Sequence, residues 1–159
     1  MVKRLPLLVV ILGDKRVGLT QISAGYATTC ALSFAGQAYC WGYNGYGQLG
    51  NGGTSDSWVP VAVNTAGVLA GKTLVQIGSS LSILDNAANR ASTCALDSVG
   101  KVYCWGHNGY GQLGNASNNN SFLPVAVSDA GVLANKVLTQ LSVGDLHVCA
   151  LDTQGQAYC

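Results

Sequence analysis

Residues 94–114 read CALDSVGKVYCWGHNGYGQLG, and residues 30–50 read CALSFAGQAYCWGYNGYGQLG. Fifteen of these 21 positions are identical, and a third copy opens at residues 149–159 as CALDTQGQAYC. Self-similarity of this kind marks a repeat architecture, in which a small supersecondary unit buries its apolar face against its neighbours. The unit is β in character. Its first half is two short runs rich in Val, Tyr, Trp and Cys around a turn, and its second half is a string of Asn and Gly that interrupts regular structure.

The turn fixes the register. Asp97, the loop Ser98, Val99 and Gly100, and Lys101 fit a three-residue hairpin connection, a type I turn closed by a glycine in the left-handed region. Leu96 then faces Val102, Ala95 faces Tyr103 and Cys94 faces Cys104. Counting outward from the loop makes the two cysteines a non-hydrogen-bonded pair, where side chains come closest. The same count holds for Cys30 with Cys40 and for Cys149 with Cys159, always ten residues apart. The spacing predicts three cross-strand disulfides, each contributing roughly 2–3 kcal/mol by chain entropy, and with them an oxidising compartment. The alternative is six reduced cysteines acting as small, half-buried hydrophobic side chains. Zinc fits poorly, because ligands facing each other across a hairpin do not form a C-x2-C knuckle and the two histidines stand at unrelated repeat positions.

Beyond the hairpin, WGYNGYGQLG at residues 41–50 reads as consecutive turns. Asn44, Gly45, Gly47 and Gly50 are expected to supply positive φ or close backbone approach, and Trp41 and Leu49, like Trp105 and Leu113, are expected core anchors. A phosphate cradle is excluded, since no G-x-G-x-x-G or G-K-S pattern opens a helix here. Residues 60–77, PVAVNTAGVLAGKTLVQI, recur at 124–141 as PVAVSDAGVLANKVLTQL with 12 of 18 positions identical. Each segment opens and closes with a short strand joined by a brief turn carrying a packed leucine.

The copies are not evenly spaced. Cys30 and Cys94 are 64 residues apart but Cys94 and Cys149 only 55, because nine extra residues lie within 80–91, SLSILDNAANRA. An insertion confined to one loop is where a repeat protein differentiates its surface. Asp85, Asn86, Asn89 and Arg90 are therefore the candidate interaction residues, against the alternative of a neutral loop. The units run 19–73, 74–137 and 138–159. Residues 1–18 read either as a degenerate half-repeat, since residues 5–22 match 60–77, or as a poor signal-like segment: Lys3 and Arg4 precede an apolar run that lacks a small-residue cleavage site.

Composition agrees with short strands. There is no Glu, Gly numbers 21, and only 9% of residues are charged, for a net charge of +1. That balance gives no support to nucleic-acid binding, and the eight apolar residues near the N-terminus are too few to span a membrane as a helix.

These words resemble the regulator of chromosome condensation repeat family, in the form found in many bacterial chains. Three pieces carry the likeness: ISAGYATTCAL at 22–32 with LSVGDLHVCAL at 141–151, the hairpin cysteines, and CWGYNGYGQLG at 40–50 with CWGHNGYGQLG at 104–114. The resemblance implies an all-β fold, blades of four short antiparallel strands belonging to a seven-bladed propeller, of which about two and a half are present. A ring is not closed by that number, so further blades of a longer chain, or self-association, are expected to complete it. The histidine that this family often carries two residues before the cysteine survives only as His147, read as turn packing, while His107 replaces Tyr43 as a surface variation.

The inventory excludes a hydrolase: there is no Glu to pair with Asp and no G-x-S-x-G. The expected function is non-enzymatic and cofactor-free, a secreted or envelope-associated scaffold presenting its loops to a protein or cell-surface ligand. By resemblance, two alternatives stand beside it. One is guanine-nucleotide exchange on a small GTPase. The other is a secreted inhibitor of the β-lactamase-inhibitory type, with Tyr43, Tyr46 and Tyr110 as interface anchors unless they pack between blades.

Overall fold

The computed structural model describes residues 9–12, 15–80 and 90–159. They form three antiparallel sheets in chain order. The first holds β1 (Val9–Leu12), β2 (Lys15–Ala24), β3 (Thr28–Ser33), β4 (Ala38–Gly42) and β5 (Ser57–Ala62); the second holds β6 (Leu74–Ser79), β7 (Ser92–Asp97), β8 (Val102–Gly106) and β9 (Ser121–Ala126). The third holds β10 (Leu138–Val143), β11 (Val148–Asp152) and β12 (Ala157–Tyr158). Within each sheet the strands pair in sequence order, the meander of a propeller blade. Val9–Leu12 pairs with β2 from Val9 opposite Gly18 to Leu12 opposite Lys15, and so adds an extra strand to the first sheet. Among the described residues no helix is long and apolar enough to cross a membrane.

The hairpin register agrees with the sequence. Cys94 faces Cys104, Ala95 faces Tyr103 and Leu96 faces Val102, and Cys30 faces Cys40 in the first sheet. All three cysteine pairs stand at disulfide-bonding distance, with Cα atoms 4.1 Å apart. At the turn, the Asp97 amide donates to Lys101 O (2.9 Å) and Gly100, at φ 84°, donates to Asp97 O (3.1 Å). The Asp97 carboxylate organises the loop by accepting from the amides of Val99 (3.0 Å) and Lys101 (2.8 Å) and from the Tyr103 hydroxyl (3.0 Å). Burial, with this carboxylate beside it, pushes the Tyr103 phenol up to about 12. Asp152 repeats the arrangement with Gln154, Gln156 and Tyr158. Its burial would raise the carboxyl, but those donors and Lys136 outweigh burial and hold it at about 2.

The core lies between sheets as much as within them. Cys30, Leu32, Leu49 and Val63 of the first unit form one cluster with Leu74, Ile77, Tyr103 and Trp105 of the second. The expected brief turns are 3-10 turns at Gly67–Leu69 and Gly131–Leu133. Two glutamines join the sheets. Gln21 donates through Nε2 to Ile77 O (2.9 Å) and accepts from the Ile77 amide (2.9 Å). Gln76 makes the same pair with Leu141, at 2.7 and 2.8 Å. Each amide satisfies the free edge of the next sheet's leading strand, whose backbone groups need partners once covered. Backbone bonds add to the joint: the Leu74 amide donates to Gly36 O and the Leu138 amide to Gly100 O, at 3.0 and 3.1 Å.

Two expectations are corrected. Trp41 is only half-buried, against Leu19 and Ala31, whereas Leu49, Leu113 and Trp105 are fully buried. Gly47 and Gly50 take positive φ and Gly45 is closely approached by the Tyr43 ring, as expected, but Asn44 does not take positive φ. Asn44 instead acts through its buried side chain, whose Oδ1 accepts from the Leu49 amide (2.9 Å) while Nδ2 donates to Gly53 O and Ser55 O, both at 3.0 Å. Asn108 does the same in the second copy. A carboxamide suits this place because it offers donors and acceptors together.

Candidate functional site

In these meanders the loop after the first strand of a sheet and the loop after its third strand emerge at the same end. The end of β6 and the start of β7, which flank residues 81–89, therefore lie at the same end of their sheet as the tail that follows β8. The two flanks are joined by paired bonds: the Ser80 amide donates to Ser92 O and the Ser92 amide to Ser80 Oγ, both at 3.0 Å. Of the candidate interaction residues, Asp85, Asn86 and Asn89 lie outside the described residues. Arg90 is placed, and it leads directly to a cluster that sequence alone did not assemble.

The Arg90 guanidinium carbon lies 5.6 Å from the centre of the Tyr110 ring, and its Nη1 donates to the Tyr110 hydroxyl. Tyr110 in turn sits 5.9 Å from His107, and His107 meets Tyr46 edge-on with ring centres 5.1 Å apart. Tyr46 comes from the first unit and the others from the second, so the cluster spans the joint between two sheets. Such cation–π and edge-to-face contacts are favourable arrangements for these rings. Tyr110 is exposed, leaving an aromatic and a cationic group presented together at the loop end.

His107 is not the surface variation expected from the exchange with Tyr43. It is buried, and its Nδ1 lies 2.8 Å from Gln112 Nε2, an amide donor, so that nitrogen is the acceptor and the ring is neutral. Burial first, and the Arg90 charge second, lower its pKa below the ordinary histidine value. His147 has the turn-packing place expected of it: its carbonyl accepts from the Gly144 amide at 2.9 Å, and a Cβ at Gly144 would meet its ring. Tyr43 folds back over Gly45 and stays outside the cluster. One signal could have found the site. Tyr46 and Tyr110 occupy the same position of two adjacent words, and the His107 exchange lies between them.

Sequential antiparallel meanders of five, four and three strands, joined through repeated side chains, define a set of β-propeller blades. The model of the Regulator of chromosome condensation (RCC1) repeat matches residues 35–84 and 99–151, and a second model of the same repeat matches residues 19–48. The chain belongs to the RCC1 repeat family. It is 29% identical over 142 residues to the probable E3 ubiquitin-protein ligase HERC4 of Homo sapiens, covering 89% of this chain and 12% of that protein. Human WBSCR16 shares the fold with a TM-score of 0.74 at 21% identity, over 92% of this chain and 33% of its own. Yeast RCC1 (Prp20), in a crystal structure bound to Kap60, shares it with a TM-score of 0.66 at 24% identity, over 88% and 31%. The chain thus spans about an eighth of HERC4 and about a third of each solved propeller chain.

Proposed function

We propose that this chain is part of a non-catalytic propeller that binds a protein or cell-surface ligand through the loop end carrying Tyr46, Arg90, His107 and Tyr110, in an extracellular or envelope setting. The observation that carries this is the cluster itself. Tyrosine and arginine dominate interface hot spots, and here they stand ordered in advance, with Arg90 drawn from the sequence segment that the other units lack. Preordering lowers the entropic cost of binding. Yeast RCC1, which shares the fold, is itself bound to a protein, Kap60. The compartment is supported by three cysteine pairs already at bonding distance, an arrangement that persists where thiols are not kept reduced.

The test uses the oxidised chain immobilised beside an Arg90→Ala/Tyr110→Ala variant and exposed to envelope and culture-supernatant proteins. A partner held by the native chain and lost from the variant is expected. Retention by both would place binding elsewhere. Thiol titration without reductant checks the compartment: no reactive thiol is expected in protein isolated from its source, and six would overturn it.

A further inference from the structure

At the hairpin end, opposite the Arg90 cluster, the first sheet meets the second as the second meets the third. The Leu74 amide donates to Gly36 O at 3.0 Å and the Leu138 amide to Gly100 O at 3.1 Å, while the Val63 and Val127 amides bond to Ala38 O and Val102 O at 3.0 and 2.9 Å. The space beside these bonds differs. In the first joint it is a cavity of about 250 Å³, with Ala38, Val63, Leu69 and Leu74 as its buried floor and Gln37, Thr65 and Lys72 at its exposed mouth. At the corresponding place in the second joint only about 20 Å³ remains. Because the backbones meet at the same distances, side chains make the difference. Val102 replaces Ala38, and an ion pair between Lys101 and Asp129, at 2.9 Å, stands where the first joint has Gln37 and Thr65.

We propose that the cavity of the first joint binds a short aliphatic monocarboxylate, its hydrocarbon chain on the floor and its carboxylate at the mouth. Lys72 supplies the charge. Its ammonium stands 3.9 Å from Asp97 Oδ2, beyond hydrogen-bond reach, and the Asp97 carboxylate already accepts from Val99, Lys101 and Tyr103. The counterpart Lys136 is occupied: it lies 3.3 Å from Asp152 Oδ2, donates to Gln156 Oε1 at 3.5 Å and sits over the Tyr158 ring. Gln37 accepts from the Tyr39 hydroxyl through Oε1 at 3.1 Å, which leaves Nε2 as a donor toward the ligand, and the Thr65 hydroxyl is a second. One cation and two neutral donors suit a single carboxylate better than a dianion, and an apolar floor under a few polar groups asks for a ligand with a hydrocarbon body. An apolar cavity of about 150 Å³ holds benzene, so this one has room for a chain of about six carbons.

The probe is 4-methylpentanoate, titrated into the whole oxidised chain labelled with nitrogen-15 and followed by proton–nitrogen NMR. Saturable shifts at the amides of Gly36, Gln37 and Lys72 are expected below about 10 mM. The neutral 4-methylpentanamide keeps the chain and acetate keeps the charge; each should bind at least about fivefold more weakly, the weight of roughly one hydrogen bond or apolar contact. Gln37→Lys/Thr65→Asp carries the second joint's ion pair into the first and should weaken binding by about fivefold or more, as should Lys72→Gln. All three positions are exposed, and circular dichroism checks that each variant is folded. Absence of saturable shifts at those amides up to about 10 mM, an amide or acetate bound within about fivefold of the acid, or affinity within about fivefold of the native chain's in either folded variant would overturn the proposal.

Discussion

Trp41 and Trp105 occupy the same position of the same word, one residue after the second hairpin cysteine, and the fold treats them differently. Trp105 is fully buried in the joint with the preceding sheet, bonded to Gln48 O and lying on Gly50. Among the described residues, Trp41 packs against Leu19 and Ala31 of its own sheet and remains half-buried. The outer strands repeat the contrast. Phe122 closes over Gly47 of the first unit, and its carbonyl accepts from the Gly52 amide at 3.0 Å, whereas its counterpart Trp58 is 80% exposed. The difference lies in the neighbour, since the words themselves are nearly identical. A unit of this family is therefore half of a joint, and its most apolar residues find their core in the unit before it.

The largest test of this contrast is truncation of the two tryptophans. Trp105→Ala should lower unfolding free energy by about 3–5 kcal/mol, the cost of deleting a fully buried aromatic and leaving a cavity. Trp41→Ala should cost under about 2 kcal/mol, because its exposed half already meets water and its site can collapse. Urea denaturation followed by circular dichroism measures both. Equal losses would show that the two words bury their tryptophans alike.

This division explains what was legible in the sequence. The hairpin register, the cysteine pairing across it and the brief turns at Gly67–Leu69 and Gly131–Leu133 are local, set by turn chemistry and a side-chain period of two. They could be counted off the chain. The joints could not be. That Gln21 reaches Ile77, 56 residues away, follows from how one sheet stacks on the next, and a glutamine in a polar-looking strand position gives no sign of it. His107 was misjudged for the same reason: compared with Tyr43 inside its own word it looks like a surface exchange, yet Tyr46 of the adjoining unit covers it. Asn44 reads as a turn residue because Asn-Gly favours turns, and Asn108 stands at the same position of the second copy. Their buried carboxamides, each satisfying a long tail, are tertiary features.

The glutamines sharpen the comparison at a smaller scale. Gln21 and Gln76 each make two bonds to a covered strand edge, while Gln140, at the same position of the third sheet, is exposed. Gln21→Ala or Gln76→Ala leaves a backbone donor and acceptor unpaired and should cost about 1–3 kcal/mol. Gln140→Ala should change stability by less than about 0.5 kcal/mol, as exposed substitutions do. Denaturation midpoints of the three variants give the ranking, and a Gln140 effect as large as the others would mean that its edge is covered in solution.

The smallest effect distinguishes the words at their one histidine. Burial and the nearby Arg90 hold His107 below its ordinary value of 6.5, so the folded chain keeps the neutral ring while the unfolded chain takes up a proton below about 6.5. Stability from this site is complete above that pH and falls as pH drops toward the lower folded value. Asp152 acts in a separate window: its carboxyl, held at about 2, contributes above the ordinary carboxylate range and is lost only as pH falls through that value. Between about pH 7 and about pH 5 the midpoint of the native chain should therefore decline through His107. His107→Tyr restores the residue of the first copy and removes the titrating group, so its urea midpoint should decline less over the same range. A variant as steep as the native chain would show that the proton is taken up elsewhere, and that the exchange between the two words has no consequence for pH.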